Sequence, residues 1–467
     1  MAQTDITRRV GRGKAGKQVV ICGAGIAGIA AAYHLASDGG NDDIVILEAA
    51  NPLSLTSDKS TEAYRNWWPG PDAAMTSFMN RSIDLLEAIA GASGNRINMN
   101  RRGYLFASAD ADKLSTLLAL ATTAERLGSG PVRLHTTSGS GYRPSPPQGI
   151  DAALTGADLI TEPRLIRAHF PYLTADTRVV LHARRAGWLS AQQLGMVMLE
   201  AARERGVKLM RATLIDVELR GGRVSAVWVE REGERQRLEA THLVIAAGPM
   251  QRQVAALVGV ELPVFAERHQ KIGFADRLGA VPRAAPMLIW LDQQHLPWTG
   301  AERAVIAQEP DTAFLLKAFP PGVHARPEGA GTTVLGLFNY DTRPAEVIFP
   351  LPESPHYAEI TLRGLATMVP AVKDYFGRGV RPVIDGGYYI KTRENRPLIG
   401  PLPVEGAFIT GAFSGFGVMA ACAGGELLAR HVAEASLPPY ASAFLLARYQ
   451  DPAYAELIER SGDGGQL

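Results

Sequence analysis

The chain lacks several features that would assign it to well-defined protein classes. It has two cysteines in 467 residues, which excludes a disulfide framework and a cysteine-built metal site and suits a reducing compartment. Its 48 Lys and Arg residues balance 47 Asp and Glu residues, so no strong charge favours nucleic acid or an anionic membrane. The ten histidines show no spacing typical of a metal site. We therefore expect no metal, no nucleic-acid partner and a cytoplasmic location.

Long uninterrupted apolar runs are also missing. Two stretches, 19–36 and 407–425, approach the length that spans a membrane, but both are rich in Gly and Ala and contain a glycine turn. We interpret each as a strand followed by a buried helix and expect no membrane span. Residues 1–17 are predicted to form a flexible, solvated basic tail. The alternative, an export signal containing Arg8-Arg9, would remove the first strand on cleavage.

What the chain does have is a glycine-rich turn near its beginning. The apolar residues Val19–Cys22 read as a buried strand, and glycines follow in the G-x-G-x-x-G spacing. Such glycines permit a tight turn, the approach of a pyrophosphate, and close packing of the next helix. A second apolar strand, 44–47, ends in an acid placed to accept ribose hydroxyls. The pattern predicts these dinucleotide contacts: Gly23, Ala24, Gly25, Ile26, Ala27, Gly28, Glu48 and Ala49.

A second turn of the same kind comes near the end of the chain. Residues 409–417 again run from an apolar strand through glycines into an alanine-rich helix. Two such turns change the expected ligand from a nicotinamide cofactor to a flavin held by both ends of the chain. The positive end of the helix that begins near Val418 would then face the flavin's pyrimidine edge. The contacts predicted here are Gly415, Phe416, Gly417, Val418 and Met419.

Composition and periodicity predict a discontinuous two-domain α/β (α+β) fold. We expect a Rossmann-like nucleotide-binding domain with an inserted, largely antiparallel β domain for the substrate. Helices are predicted over 72–90, 111–127 and 191–205, the last capped by Ser190, and a Gly-, Ser- and Pro-rich mobile excursion over 128–152. Strands are predicted at 103–107, 207–219, 223–231, 236–246, 265–275, 286–292, 312–318 and 332–339. The predicted domains are 18–100, 185–259 and 381–436 for the nucleotide, 101–184 and 260–380 for the substrate, and a C-terminal extension over 437–467.

In order along the chain, the first turn, Gly187-Trp-Leu, Val244–Gly248, the run 387–400 and the last turn resemble the D-amino-acid oxidase superfamily. The resemblance covers about residues 18–435 and is nearest to the branch of sarcosine oxidase, glycine oxidase and dimethylglycine dehydrogenase. It implies FAD as the cofactor of a DAO-type fold and oxidation of a C–N bond by hydride transfer to flavin N5. The imine product would hydrolyse, and the electrons would pass to O₂ or another acceptor.

The resemblance also implies roles for individual residues. Thr56–Arg65 aligns with the segment that wraps the flavin in monomeric sarcosine oxidases, where an arginine at the position of Arg65 grips the substrate carboxylate. Tyr389 matches a tyrosine over the substrate, and Lys271 is our candidate for a basic group at the flavin that assists oxygen. For each of the three, an ordinary structural role (a surface arginine, a satisfied strand tyrosine, an outward lysine) remains open. The further predicted cofactor contacts are Ser57, Lys59, Ser60, Ile215, Ala247 and Gly248.

Three departures from the family pattern modify these expectations. Gly387 matches the cysteine that anchors flavin in monomeric sarcosine oxidases, and no histidine lies in 54–62, so FAD should be non-covalent. Met419 matches a carboxylate-binding lysine and Phe416 a histidine, which favours a secondary or bulkier amine over a small sarcosine-like one. Oxidation of a C–OH substrate such as a hydroxy acid, or a non-catalytic flavin-binding subunit, are the alternatives. The oligomeric state is left open.

Overall fold

The fold is that of a computed structural model, which describes residues 17–37, 43–150, 154–352 and 354–461. The α-helices of these ranges are α1 (Ile26–Ser37), α2 (Ala74–Ala92), α3 (Lys113–Ala124), α4 (Pro163–His169), α5 (Ala191–Glu204), α6 (Gln251–Ala256), α7 (Gly300–Ile306), α8 (Tyr357–Met368), α9 (Gly417–Val432) and α10 (Pro452–Ser461). The helices predicted over 72–90, 111–127 and 191–205 are confirmed as α2, α3 and α5. The Ser190 side chain accepts a hydrogen bond from the Gln193 amide, so the predicted cap is also confirmed.

The strands lie between these helices, singly or in groups. In chain order they are β1 (Gln18–Cys22), β2 (Asp43–Glu48), β3 (Ala63–Arg65), β4 (Tyr104–Ser108), β5 (Val132–His135), β6 (Ala157–Ile160), β7 (Val179–Ala183), β8 (Ala186–Trp188), β9 (Lys208–Arg211), β10 (Thr213–Arg220), β11 (Arg223–Arg231), β12 (Glu234–Glu239), β13 (His242–Ile245), β14 (Phe265–Ala275), β15 (Met287–Trp290), β16 (Gln294–His295), β17 (Ala318–Phe319), β18 (His324–Pro327), β19 (Thr333–Leu337), β20 (Val383–Lys391), β21 (Leu398–Pro401) and β22 (Ala407–Gly411). The runs predicted at 207–219 and 236–246 are each divided into two strands, β9 with β10 and β12 with β13.

The first sheet brings the two ends of the chain together. Its six strands run in the order β21-β22-β13-β1-β2-β9 and are parallel except for the β21–β22 pair. Strands buried on both faces are mostly apolar, as β1 and β22 are. The helices that follow these strands also pack closely, because a Cβ on Gly425 of α9 would lie 2.5 Å from the carbonyl oxygen of Ala30 in α1. The stretches 19–36 and 407–425 are therefore strand–turn–helix units, as predicted.

The second sheet is larger and mostly antiparallel. Its nine strands run in the order β20-β14-β19-β18-β15-β4-β7-β6-β5, with parallel pairing only at β15–β4 and β5–β6 within the part of the chain described. The predicted fold class is thereby confirmed. Strand β20 follows the predicted domain boundary at residue 381 but pairs with β14 in this sheet. The exact domain bounds stay a prediction.

Two local predictions are wrong. The run 312–318 is mainly a 3₁₀ turn, Ala313–Leu316, because the carbonyl of Thr312 accepts from the Leu315 amide; a short apolar run does not by itself distinguish a strand from a turn. The predicted mobile excursion contains β5, which forms a parallel ladder with β6. Tyr142 in the same region is buried against the guanidinium of Arg184. These long-range contacts cannot be inferred from a Gly-, Ser- and Pro-rich composition.

The two ends of the chain complete the description. The predicted basic tail, 1–17, and Arg8-Arg9 of the alternative export signal lie outside the described residues except for Lys17. In the C-terminal extension, Phe444 is fully buried and lies 4.7 Å from the ring of Phe78. Across the ranges described, no helix is long and apolar enough to cross a membrane.

Candidate functional site

The first glycine turn is shaped by close approaches of the backbone. Gly23 has a φ of 109°, and a Cβ there would lie 2.5 Å from the carbonyl oxygen of Ala246 at the end of β13. A Cβ on Gly28 would lie 1.9 Å from the oxygen of Gly23, so α1 can pack against the turn only through a glycine. Because neither position has room for a side chain, the turn is fixed by sterics.

The acid at the end of β2 is built into this turn. One carboxylate oxygen of Glu48 accepts from the Ala24 amide and the other from the Ala50 amide, each at 2.9 Å. The segment after β2 also reaches the turn, because the Ser57 hydroxyl accepts from the amide of Ile26 at 3.0 Å. That amide belongs to the first turn of α1, whose N–H groups have no partner within the helix, and Ser57 supplies one from outside it.

The second glycine turn carries a strained backbone. Ala412 and Ser414 have φ values of 55° and 50°, in the left-handed region that residues with a side chain rarely adopt. The Ser414 hydroxyl is buried and has no hydrogen-bond partner among the described residues. Strained residues and unpaired buried polar groups both concentrate at binding sites, so this turn has the character of a ligand site.

A first cavity of about 440 Å³ lies between the two turns. Many of the predicted cofactor contacts line it: Gly23, Gly25, Ile26, Ala27, Glu48, Ala49, Ser57, Ser60, Ala247, Gly248, Gly415, Gly417 and Val418. The predicted contacts outside its lining are Ala24, Gly28, Lys59, Ile215, Phe416 and Met419. The structure shows why two of these, Ile215 and Lys59, do not line the cavity. Leu214 lines the cavity in place of Ile215, where the β10–β11 register shifts, and the Lys59 ammonium pairs with Asp385 at 3.1 Å.

A second, smaller cavity of about 60 Å³ adjoins the first. The two share Tyr389 and Gly415, so a ligand in one would contact the walls of the other. The lining of the second cavity is Thr61, Ala63, Arg65, Tyr104, Met287, Ile289, His324, Leu337, Asn339, Tyr389, Gly415 and Met419. Two predicted catalytic residues, Arg65 and Tyr389, therefore line the same cavity. Met419, in the first turn of α9, lines it as well.

Arg65 is the one fully charged side chain in that lining. Its guanidinium is buried, lies 4.7 Å from the Trp68 ring centre and 5.6 Å from that of Tyr104, and its Nε donates to the Trp67 carbonyl. Burial lowers the pKa of Arg65, but a guanidinium stays protonated at any ordinary pH. The second cavity thus has a positive charge and favours an anionic group.

Tyr389 is held by a buried polar group on β14. Its ring stacks on His269 with centres 4.1 Å apart, and burial raises the pKa of its phenol. His269 lies 3.0 Å from the Glu267 carboxylate and 2.7 Å from the Asn339 amide oxygen. Burial alone would raise the pKa of Glu267, but hydrogen bonds from His269 and Lys391 outweigh it and lower that pKa. The wall of the second cavity is therefore fixed by a charged, hydrogen-bonded group.

The third predicted catalytic residue lies elsewhere. The Lys271 ammonium donates to the backbone carbonyls of Asp58 and of Ser60, the latter at 3.0 Å, and lines neither cavity. Burial lowers its pKa. On the same face of the sheet, the Arg326 Nε donates to the Thr61 carbonyl at 2.5 Å. Both cations therefore hold the segment between β2 and β3.

Sequence reasoning missed His269, His324, Asn339 and Arg326. The signal available for part of this set was a run of five polar residues, 267–271, which includes Glu267, His269 and Lys271 and lies within a strand that is otherwise mostly apolar. Period-two spacing places such residues on one face, and a polar face on a buried strand indicates a site. Among the residues described, no group of three or more His, Cys, Asp or Glu is arranged to hold a metal ion.

Comparison with known proteins agrees with this geometry. Solved structures with a similar fold include L-proline dehydrogenase from P. horikoshii (TM-score 0.71, 18% identity, 93% of this chain and 98% of that one) and glycine oxidase from Geobacillus kaustophilus (TM-score 0.70, 17% identity, 92% and 98%). A curated relative is 4-methylaminobutanoate oxidase (formaldehyde-forming) of Paenarthrobacter nicotinovorans, 22% identical over 63% of this chain and 32% of its own length.

A second curated relative, mitochondrial dimethylglycine dehydrogenase of Rattus norvegicus, is 24% identical over 58% of this chain and 28% of its own length. The matches thus cover about a third of the length of these two relatives. The model of the DAO family, described as FAD dependent oxidoreductase, matches residues 18–431. The chain therefore belongs to the DAO family of FAD-dependent oxidoreductases.

Proposed function

We propose that FAD binds without a covalent bond in the first cavity, held by both glycine turns. The residues fit such a ligand: a turn closed to side chains, the N-terminus of α1 directly after that turn, and the buried, unpaired hydroxyl of Ser414. At Gly387, a Cβ would lie 3.4 Å from the Lys59 side chain, and glycine offers no sulfur for attachment. The domain that binds FAD would be built on the first sheet, and the domain that binds the substrate on the second.

The substrate we propose is an amine that carries a carboxylate, in other words an amino acid. The observation that carries this proposal is the second cavity, which meets the first at Tyr389 and Gly415 and has Arg65 as its only charged side chain in the lining. A buried guanidinium in a cavity without a lining carboxylate favours an anion strongly. A cationic amine without a carboxylate would instead be repelled.

Each residue of the second cavity then has a defined task. Bound FAD supplies the acceptor for a hydride equivalent from the carbon next to the substrate nitrogen. Arg65 binds the carboxylate and orients that carbon, and Tyr389, fixed by its stack on His269, closes the wall between the cavities. The positive charge of Arg65 also disfavours a protonated amine, so the neutral amine needed for oxidation is favoured.

The lining of the second cavity refines the substrate class. Met419, which matches a carboxylate-binding lysine of the family, lines this cavity, so we propose a secondary or bulkier amino acid. The electron acceptor, O₂ or another molecule, is part of the same proposal. We also propose a cytoplasmic location, which the two buried, unpaired cysteines support.

Anaerobic reduction of the flavin tests the proposal. Holoenzyme is mixed with glycine, sarcosine, proline, methylamine, glycolate and lactate, and bleaching of the flavin is followed before and after air is admitted. We expect reduction by one or more of the amino acids and none by methylamine. Reduction by the hydroxy acids alone would overturn the choice of a C–N bond, and reduction by no compound would favour a flavin-binding subunit.

A further inference from the structure

The position of His324 in the second sheet gives it a place in the second cavity. His324 of β18 is directly opposite Ile289 of β15 on one side and Leu337 of β19 on the other. Directly opposite residues of antiparallel strands project to the same face of a sheet. All three line the second cavity, so His324 lies on the face of the sheet that borders it, between two apolar residues.

The hydrogen bonding of the ring fixes its chemistry. His324 Nδ1 lies 2.8 Å from the backbone oxygen of Gly322. A carbonyl oxygen can only accept, so Nδ1 carries the hydrogen. Burial lowers the pKa of His324 to about 4, and the positive charge of Arg65 contributes to the shift. The ring is therefore neutral near pH 7, and its Nε2 has a lone pair that accepts a hydrogen bond.

This acceptor complements Arg65 rather than duplicating it. A substrate carboxylate bound to Arg65 would be repelled by a lone pair, so Nε2 is matched to the other polar end of an amino acid. We propose that His324 Nε2 accepts a hydrogen bond from an N–H of the substrate amine and thereby makes the protein selective for primary and secondary over tertiary amino acids. The inference rests on the proposed function, because it assigns the amine end of the same site.

Two variants separate the hydrogen-bond acceptor at Nε2 from the hydrogen bond that His324 makes to the Gly322 carbonyl. In His324→Asn, the shorter amide can still donate to the Gly322 carbonyl but places no acceptor at the position of Nε2. In His324→Gln, the longer side chain restores an acceptor near that position. His295→Asn, at an exposed position on the two-residue strand β16, is the control for the same substitution elsewhere.

The measurement is the rate of anaerobic flavin reduction by matched substrates that differ in one N–H: sarcosine against N,N-dimethylglycine, and proline against N-methylproline. We expect His324→Asn to lose about tenfold or more in kcat/KM with the N–H substrate of a pair, as for one lost buried hydrogen bond. The N-methylated partner should change by no more than about twofold, and His324→Gln should recover most of the loss. Acetate, which has only the carboxylate, should perturb the flavin spectrum equally in all four proteins.

The possible outcomes are distinct. If the wild-type protein prefers the N–H substrates and His324→Asn keeps that preference, or if His324→Gln fails to restore it, the role of His324 is overturned while the proposed function stands. If acetate binding is lost in His324→Asn, the residue has a general structural role, which also overturns the inference. If no amino acid reduces the wild-type flavin, both proposals fail.

Discussion

Gly25 allows the approach of FAD to be separated from the stability of the fold. An ideal Cβ at Gly25 would lie 3.3 Å from the Ser57 hydroxyl oxygen and meet no other atom within 4 Å. A displacement of a few tenths of an ångström would accommodate the methyl group. Gly25 also lines the first cavity, where the backbone has to come close to the pyrophosphate. Gly25→Ala should therefore fold well and bind FAD poorly.

The expected magnitudes differ for the two properties. Replacing glycine by alanine restricts the unfolded chain and stabilises a compatible site by ~0.4–1 kcal/mol, which offsets the crowding against Ser57. The free energy of unfolding without FAD should thus change by less than about 1 kcal/mol. In the complex, the methyl group stands between backbone and phosphate, and we expect a 10- to 100-fold loss of affinity, about 1.4–2.8 kcal/mol.

Two other glycines provide the comparison. A Cβ on Gly28 would lie 1.9 Å from the backbone oxygen of Gly23, so Gly28→Ala should destabilise even the FAD-free protein, by ~1–3 kcal/mol or more. Gly91 lies in α2 with nothing within 4 Å of an added Cβ. Gly91→Ala should raise the free energy of unfolding by up to ~1 kcal/mol and leave FAD affinity unchanged.

Urea denaturation of the FAD-free proteins, followed by titration with FAD monitored by quenching of flavin fluorescence, measures both quantities. The reasoning is refuted if Gly25→Ala binds FAD as tightly as the wild-type protein. It is equally refuted if Gly25→Ala loses as much stability as Gly28→Ala, since the loss of affinity would then follow from misfolding.

Two further predictions concern charged groups. Arg65→Met should weaken binding of acetate and of any amino-acid substrate by about 10- to 100-fold, as for a lost charged hydrogen bond, while FAD uptake stays unchanged. Arg96→Met, at an exposed ion pair, is the control. Equal acetate affinity in the two variants would show that Arg65 is not part of the site. Burial raises the pKa of Glu62 from 4.5 to about 7, so the folded protein binds this proton more tightly than the unfolded chain, and stability should fall as pH rises from about 4.5 to about 7. Glu62→Gln should flatten that part of a series of thermal unfolding curves, and an unchanged slope would contradict the assignment.

The cofactor side of the site could be predicted from the sequence because its chemistry is local. A strand, a glycine turn and a helix specify their own geometry, and β1 and β22 are separated only by β13 in the first sheet. The prediction fails at Ile215. The register of the β10–β11 pair shifts at this position, and Leu214 lines the cavity instead of Ile215. A single extra residue in a ladder reverses which side chains of the strand face the cavity, and no pattern in the sequence predicts such a residue here.

The substrate side depends on strand register over long distances. His324, Ile289 and Leu337 are contributed by three strands whose pairing is set by the whole second sheet. Sequence reasoning found Arg65 and Tyr389 through a resemblance, but it chose Lys271 on residue type and strand position alone. The period-two geometry of β14 places Glu267 and His269 on the same face as Lys271. His269 contacts Asn339 in the wall of the second cavity, and Glu267 contacts His269.

The place of Lys271 follows from the backbone that lies above it. The segment between β2 and β3 crosses the second sheet without regular structure around residues 58–61, so its carbonyl groups find no partners in a strand ladder. Buried carbonyls need donors, and a long cationic side chain can supply several from a neighbouring sheet. Lys271 donates to the carbonyls of Asp58 and Ser60, and Arg326 to that of Thr61. Since Ser57 contacts the start of α1 and Arg65 lines the second cavity, holding the chain between them fixes both cavities relative to each other. Lys271 therefore contributes to the site indirectly, by holding the segment around residues 58–60, and this is the role that its contacts favour.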